Sequence, residues 1–153
     1  MARLRIQVQS KPALLITWRA LVAKRLAYIA VADRPVRYRA GSTPIVYIGT
    51  TRKGARRVAQ SAVETAKDAM QKRGINKVRM FIVTCGTRPN VASWNRLEDA
   101  LIAAFRHRYE AMPLCNQRGK RLKLDKFERL FSRSRLLSII DSFKKRHKAP
   151  KMF

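Results

Sequence analysis

The sequence predicts an α+β fold: a small three-stranded, mostly antiparallel sheet flanked by helices, with an N-terminal extension and a basic C-terminal helix. Three observations lead there. Two apolar runs rich in strand formers, Leu26 to Ala32 and Ile45 to Gly49, lie close together with turn-forming residues between them. From Ala55 to Lys72 the apolar positions recur at helical spacing, and Gly74 stands where a C-terminal stop belongs. The alternation then repeats, with Lys77 to Thr84 as a strand and Ser93 to Tyr109 as a helix.

Taken in order, Arg3 to Gln9 alternates polar and apolar residues as a half-exposed strand does, and Lys11-Pro12 ends it. A helical piece follows from about Leu14 to Lys24. Asp33-Arg34-Pro35 reads as the turn after the first apolar run, and Gly41-Ser42-Thr43-Pro44 as a second turn leading into Ile45. Val58, Ala62, Thr65, Ala66, Ala69 and Met70 are the positions that recur at helical spacing on the first long helix, which is expected to pack on the sheet. Gly86 to Asn90 is a loop, and Ser93 is the expected N-cap of the next helix. Beyond Asn116, a last amphipathic helix carries Leu124, Phe127, Leu130, Phe131, Leu137 and Ile140 on one side and ends in a basic tail. That side is suited to packing on the domain or to pairing with another copy. The chain divides into an N-terminal strand and helix extension (1–25), a central domain (26–120) and a basic C-terminal helix and tail (121–153). It has no internal repeat.

Composition names the partner class. The 153 residues hold 35 Lys and Arg against 9 Asp and Glu, a formal charge of +26, which a polyanion would neutralise. Nucleic acid is the expected partner, DNA favoured over RNA. Charge alone fits an RNA-coating protein equally well. Hydrophobic residues make up 46%, enough for an ordinary core in one domain. Cys85 and Cys115 stand apart, and with only His107 and His147 beside them a structural zinc cluster is not expected. No apolar run approaches membrane-spanning length, so no membrane association is expected. The expected setting is intracellular, cytoplasmic or nucleoid-associated. Residues 1–32 carry six basic and no acidic side chains and resemble a transit peptide, which leaves organelle targeting open.

On the Ser93–Tyr109 helix, Trp94, Leu101, Ile102, Phe105 and Tyr109 form one stripe, and at about 100° per residue Glu98 falls within it. An unpaired carboxylate there costs on the order of several kcal/mol, so Glu98 should meet a cation or face a cleft. The alternative is a stripe-edge glutamate that reaches water. Arg57 stands near the start of the preceding helix, where backbone N–H groups favour an anion, or else it is a solvated member of the cluster Arg52, Lys53, Arg56 and Arg57. Tyr47 reads as a strand aromatic or a proton acceptor, and Asn116, three residues after Pro113, as a turn residue or a brace.

In combination these residues resemble the GIY-YIG nuclease family over roughly Leu26 to Lys120. Tyr47-Ile48-Gly49 matches the second signature half, and Arg57 follows at the family's spacing. Glu98-Asp99-Ala100-Leu101-Ile102 looks like the segment with the metal-binding glutamate, and Pro113-Leu114-Cys115-Asn116 like the closing step. No literal G-I-Y is present. Ala27-Tyr28-Ile29 is the preferred counterpart, and Val36-Arg37-Tyr38 is the other. Ser61 stands where many members carry histidine. The resemblance implies a metal-dependent endonuclease. In it Tyr28 or Tyr47 helps deprotonate water, and Glu98 is the ligand for one Mg²⁺ or Mn²⁺. Arg57 steadies phosphate charge, and Asn116 braces the site. Arg52, Lys53, Arg56, Arg118, Lys120, Arg121 and Lys123 are expected to track the nucleic-acid backbone. A homodimer or a place in a larger nucleoprotein complex is compatible with this reading, as is a binding protein whose chemistry has lapsed.

Overall fold

Leu26 opens the strand on which the fold is built. The computed structural model describes residues 5, 7, 14–116 and 122–144. Strand β1 (Leu26–Tyr38) is central, with β2 (Gly41–Thr51) on one side and β3 (Val78–Val83) on the other, giving the order β2-β1-β3. Both pairings are antiparallel. Leu26 to Ala32 is buried without interruption, as expected of a middle strand covered on both faces. Helix α1 (Trp18–Val22) precedes the sheet, α2 (Ala55–Arg73) and α3 (Ser93–Tyr109) flank it, and a 3₁₀ turn (Leu124–Phe127) and α4 (Arg133–Ser142) follow. The α+β fold with a three-stranded antiparallel sheet is the architecture the sequence predicts.

Several details differ from the sequence reading. Asp33-Arg34-Pro35 does not turn the chain. These residues lie inside β1, where the register with β2 slips between Val31 and Val36. Pro35 has no N–H to give a ladder, and a bulge is where a strand tolerates it. The reversal comes at Arg39-Ala40, between the paired Tyr38 and Gly41, and Gly41 to Pro44 belongs to β2. Gly41 has φ 137°, a value that favours glycine.

Helix α2 ends on Gly74 in the left-handed conformation, φ 61°, as the sequence suggests. Helix α3 starts one residue away from expectation: Ala92 is its N-cap, and Ser93 is the first helical residue with its hydroxyl turned to the Val91 carbonyl. The N-terminal helix is shorter than Leu14 to Lys24, because Thr17 caps it and Ala23 is extended. The single C-terminal helix is instead two pieces, since Ser132 accepts a hydrogen bond from the Arg135 N–H and restarts the chain as α4. Leu124, Phe127, Leu136, Ile140 and Phe143 are buried in the main core, so this segment packs on the domain. The strand expected over Arg3 to Gln9 lies outside the described residues apart from Arg5 and Gln7, which are exposed and not in a strand.

A second, smaller apolar cluster consists of Leu26, Tyr28 and Val58, with Ala23, Tyr47, Met80 and Ile82 against it. It joins β1 to the first turns of α2 and carries the candidate site on its margin. Among the described residues no helix is long and apolar enough to cross a membrane.

Candidate active site

The β1–β2 register sets Tyr28 opposite Gly49 and Ala30 opposite Tyr47. Residues 28, 30, 47 and 49 therefore share one face, and the two tyrosine rings meet with centroids 5.9 Å apart. Of the two candidates for the first signature tyrosine, Tyr28 is the one beside Tyr47. Tyr38 is used elsewhere: its hydroxyl donates to the Ile45 carbonyl at 2.7 Å and accepts from the Leu114 N–H at 3.0 Å.

The Tyr28 hydroxyl donates to Ser61 Oγ at 2.9 Å, a buried bond between β1 and α2. Arg57 sits one helical turn before Ser61, and on a helix residues four apart are neighbours on one face. Arg57 is half-buried, and its side chain has no hydrogen-bond or ion-pair partner among the described residues. In the sequence Ser61 stands out only as a departure from histidine. Its role as acceptor depends on how α2 docks, for which the sequence carries no signal.

Glu98 lies half-buried at the margin of the packed face of α3, where Leu97, Leu101 and Phe105 are buried. Burial, and then the charge of Asp99, push its carboxyl up to about 7. It makes no ion pair among the described residues. Its charge nevertheless acts on Tyr47, whose hydroxyl is pushed up to about 12 by burial first, then by Tyr28 and Glu98, with Ser61 opposing. Tyr28, Glu98 and Ser61 thus all act on the Tyr47 hydroxyl. At neutral pH Tyr47 is protonated, and only added positive charge would bring it toward a base.

Asn116 closes the outer edge of β2. Its Oδ1 accepts from the Ile48 N–H at 2.9 Å and its Nδ2 donates to the Ile48 carbonyl at 2.8 Å, while the Cys115 N–H donates to Val46 at 2.8 Å. The stretch Pro113 to Asn116 replaces a missing strand partner at the residue next to Tyr47. On the other side, the Thr50 hydroxyl reaches the carbonyls of Leu26 at 3.0 Å and Trp94 at 3.3 Å, tying both strands to the start of α3.

Arg52, Lys53 and Arg56 are exposed at the β2–α2 connection, and Lys123 is exposed ahead of the 3₁₀ turn. Arg118, Lys120 and Arg121 lie outside the described residues. Arg133, in the basic C-terminal segment, is already engaged with Asp125 at 3.3 Å and Glu128 at 2.9 Å. A concavity of ≈ 570 Å³ between Arg39, Arg106, His107 and Leu124 does not include the tyrosines or Glu98.

No group of three or more His, Cys, Asp and Glu side chains assembles among the described residues. A divalent ion here would rest on Glu98, water and substrate phosphate. That donor set fits Mg²⁺ or Mn²⁺, which keep several waters and need few carboxylates. The half-buried, unpaired Glu98 carboxylate fits the same ion, since a cation would offset the cost of its burial. Comparison with protein-family models, curated proteins and solved structures found no match to this chain.

Proposed function

We propose that the protein is a metal-dependent endonuclease of GIY-YIG type that hydrolyses phosphodiester bonds, with DNA as the favoured substrate and an intracellular setting. The observation that carries this reading is the pairing of the Tyr47 ring with Tyr28, itself bonded to Ser61, beside the half-buried Glu98 carboxylate, whose charge acts on Tyr47. Arg57, one turn from Ser61, supplies the guanidinium.

Mg²⁺ or Mn²⁺, when bound, supplies the positive charge that polarises the phosphate. Glu98 provides the anionic oxygen that holds it. The Arg57 guanidinium donates to the non-bridging phosphate oxygens, where negative charge grows as water attacks phosphorus. The Tyr28 or Tyr47 hydroxyl accepts a hydrogen bond from that water and orients it. The water gives up a proton to solvent as the new P–O bond forms, and the bond to the leaving oxygen breaks as that oxygen takes up a proton from solvent. Asn116 holds the backbone that carries Tyr47. Arg52, Lys53 and Arg56 meet neighbouring phosphates and give salt-dependent affinity with little sequence preference.

The test is cleavage of plasmid DNA in Mg²⁺ or Mn²⁺ by the full chain, beside Arg57→Ala and Glu98→Gln. Loss of cleavage by at least about a hundredfold in both variants, with DNA binding retained, supports the enzyme. Tight binding without cleavage in either metal overturns it. That result favours a second reading, a nucleic-acid-binding protein or a subunit of a larger nucleoprotein complex, which draws on Ser61 in place of an imidazole.

A further inference from the structure

The segment ahead of β1 carries six large apolar side chains that the fold leaves in solvent. Leu14, Leu15, Ile16, Trp18, Leu21 and Val22 are each more than half exposed, Leu15 at 81% and Trp18 at 78%. Scattered apolar residues on a surface are ordinary, but six within nine positions form a patch that asks for a partner.

Two anchors fix where this patch stands. The Lys24 carbonyl accepts from the Gly54 N–H at 3.0 Å, at the start of α2. The Arg25 guanidinium lies 4.7 Å from the ring centroid of Trp94, at the start of α3. Ala23, between α1 and these anchors, packs against Leu26, Tyr28 and Val58. The apolar segment therefore leaves the protein at the rim of the tyrosine and Glu98 site.

Its charge is equally one-sided. Asp33 is the one acidic residue in positions 1–63. Lys24, Arg25, Arg52, Lys53 and Arg56 are exposed on this side, and none forms an ion pair among the described residues. A surface both apolar and cationic suits a strand with unstacked bases, whose rings lie on Trp and Leu side chains while its phosphates meet Lys and Arg. Duplex DNA offers such a surface its phosphates but keeps its bases stacked.

We infer that the Leu14–Arg25 segment docks an unpaired stretch of nucleic acid beside the cleavage site, with Trp18 stacking on a base and Lys24 and Arg25 holding its phosphates. The location of that strand rests on the hydrolase reading; its chemistry does not. An anionic bilayer would meet the same side chains, but seated there it would stand against the mouth of the cleft.

The chain has two tryptophans, Trp18 and Trp94, and both lie on this rim, so their emission reports docking directly. The full chain and Trp18→Ala are titrated in EDTA with a dye-labelled oligothymidylate and with a duplex of equal length, following dye anisotropy and tryptophan emission together. The expected result is quenching by the single strand, with single-strand affinity about tenfold weaker in Trp18→Ala and duplex affinity changed by less than about twofold. Leu15→Ser, tested in parallel, should weaken the single strand in the same direction.

Binding without quenching, and equally strong in Trp18→Ala, overturns the inference. So does a blue shift on phosphatidylglycerol vesicles without quenching by the oligonucleotide, which would assign the patch to lipid. Burial of Trp18 that rises with protein concentration alone would assign it to a second copy, and equally overturns it. Because EDTA removes cleavage from the readout, a chain that never cleaves can still pass. A chain that cleaves but shows no strand preference sinks this inference alone.

Discussion

The ring of Tyr28 lies across Gly49, its partner on β2, and fills the space where a Cβ at position 49 would sit. Such a carbon would come within 2.6 Å of Tyr28 Cζ and 2.6 Å of Tyr47 Cε1. The glycine is needed here for close approach, since the tyrosine pair exists only because residue 49 has no side chain.

Gly49→Ala should therefore force both rings aside. Overpacking of this kind costs about 1–3 kcal/mol, and the shift also breaks the Tyr28–Ser61 bond. Denaturant unfolding would show a lower midpoint with an unchanged slope, and cleavage should fall with it. A variant as stable as the wild type would mean that the rings have room to move.

Asn116 satisfies both backbone groups of Ile48 on the open edge of β2. Asn116→Ala leaves them without a protein partner, at a cost of about 1–2 kcal/mol. Asn116→Asp keeps the acceptor for the Ile48 N–H but sets an oxygen against its carbonyl, so it should be at least as damaging. Hydrogen exchange at the Ile48 amide is the direct check. Exchange should speed up in Asn116→Ala, and an unaltered rate would show that the edge is held by Cys115 alone.

The strands and long helices were legible because each is set by local periodicity: the apolar runs of β1 and β2, the helical spacing of α2 and Gly74 at its end. The turns misled because Asp33, Pro35 and Gly41 serve a bulge and a strand start as readily as a reversal, and only the pairing register decides. The last helix broke at Ser132, a cap whose effect local apolar spacing does not reveal. In the site, Glu98 could be seen from its phase on α3. Ser61 as the partner of Tyr28, across 33 positions, could not, because that contact depends on α2 docking on the sheet.

Glu98 ties stability to pH. Its carboxyl moves from an ordinary 4.5 up to about 7 through burial and the charge of Asp99. Between those values the folded protein holds a proton that the unfolded chain has released, so stability falls as pH rises through this window, and the full cost is present above it. Glu98→Gln should stabilise the protein at about pH 8 by on the order of 1–2 kcal/mol, allowing for solvent screening, and leave it unchanged near pH 4. Thermal melts at both pH values test this, and equal shifts at both would break the link. Since the carboxylate must be ionised to hold a cation, Mn²⁺ should raise the wild-type melting temperature more above pH 7 than below, with no such effect in Glu98→Gln.

Tyr28 can be separated from its packing by removing a single atom. Tyr28→Phe keeps the ring against Gly49 and deletes only the hydroxyl that donates to Ser61. The stability cost should be about 1 kcal/mol, the worth of one hydrogen bond. Ser61→Ala deletes the other end and leaves the Tyr28 hydroxyl, on a residue only 2% exposed, without its acceptor, so its cost should be the larger of the two. If the hydroxyl orients the attacking water, Tyr28→Phe lowers cleavage by at least about a hundredfold while Ser61→Ala retains most of it. Parallel loss of stability and cleavage in both variants would instead make the Tyr28–Ser61 bond a structural tie between β1 and α2, and leave Tyr47 as the phenol that faces the substrate.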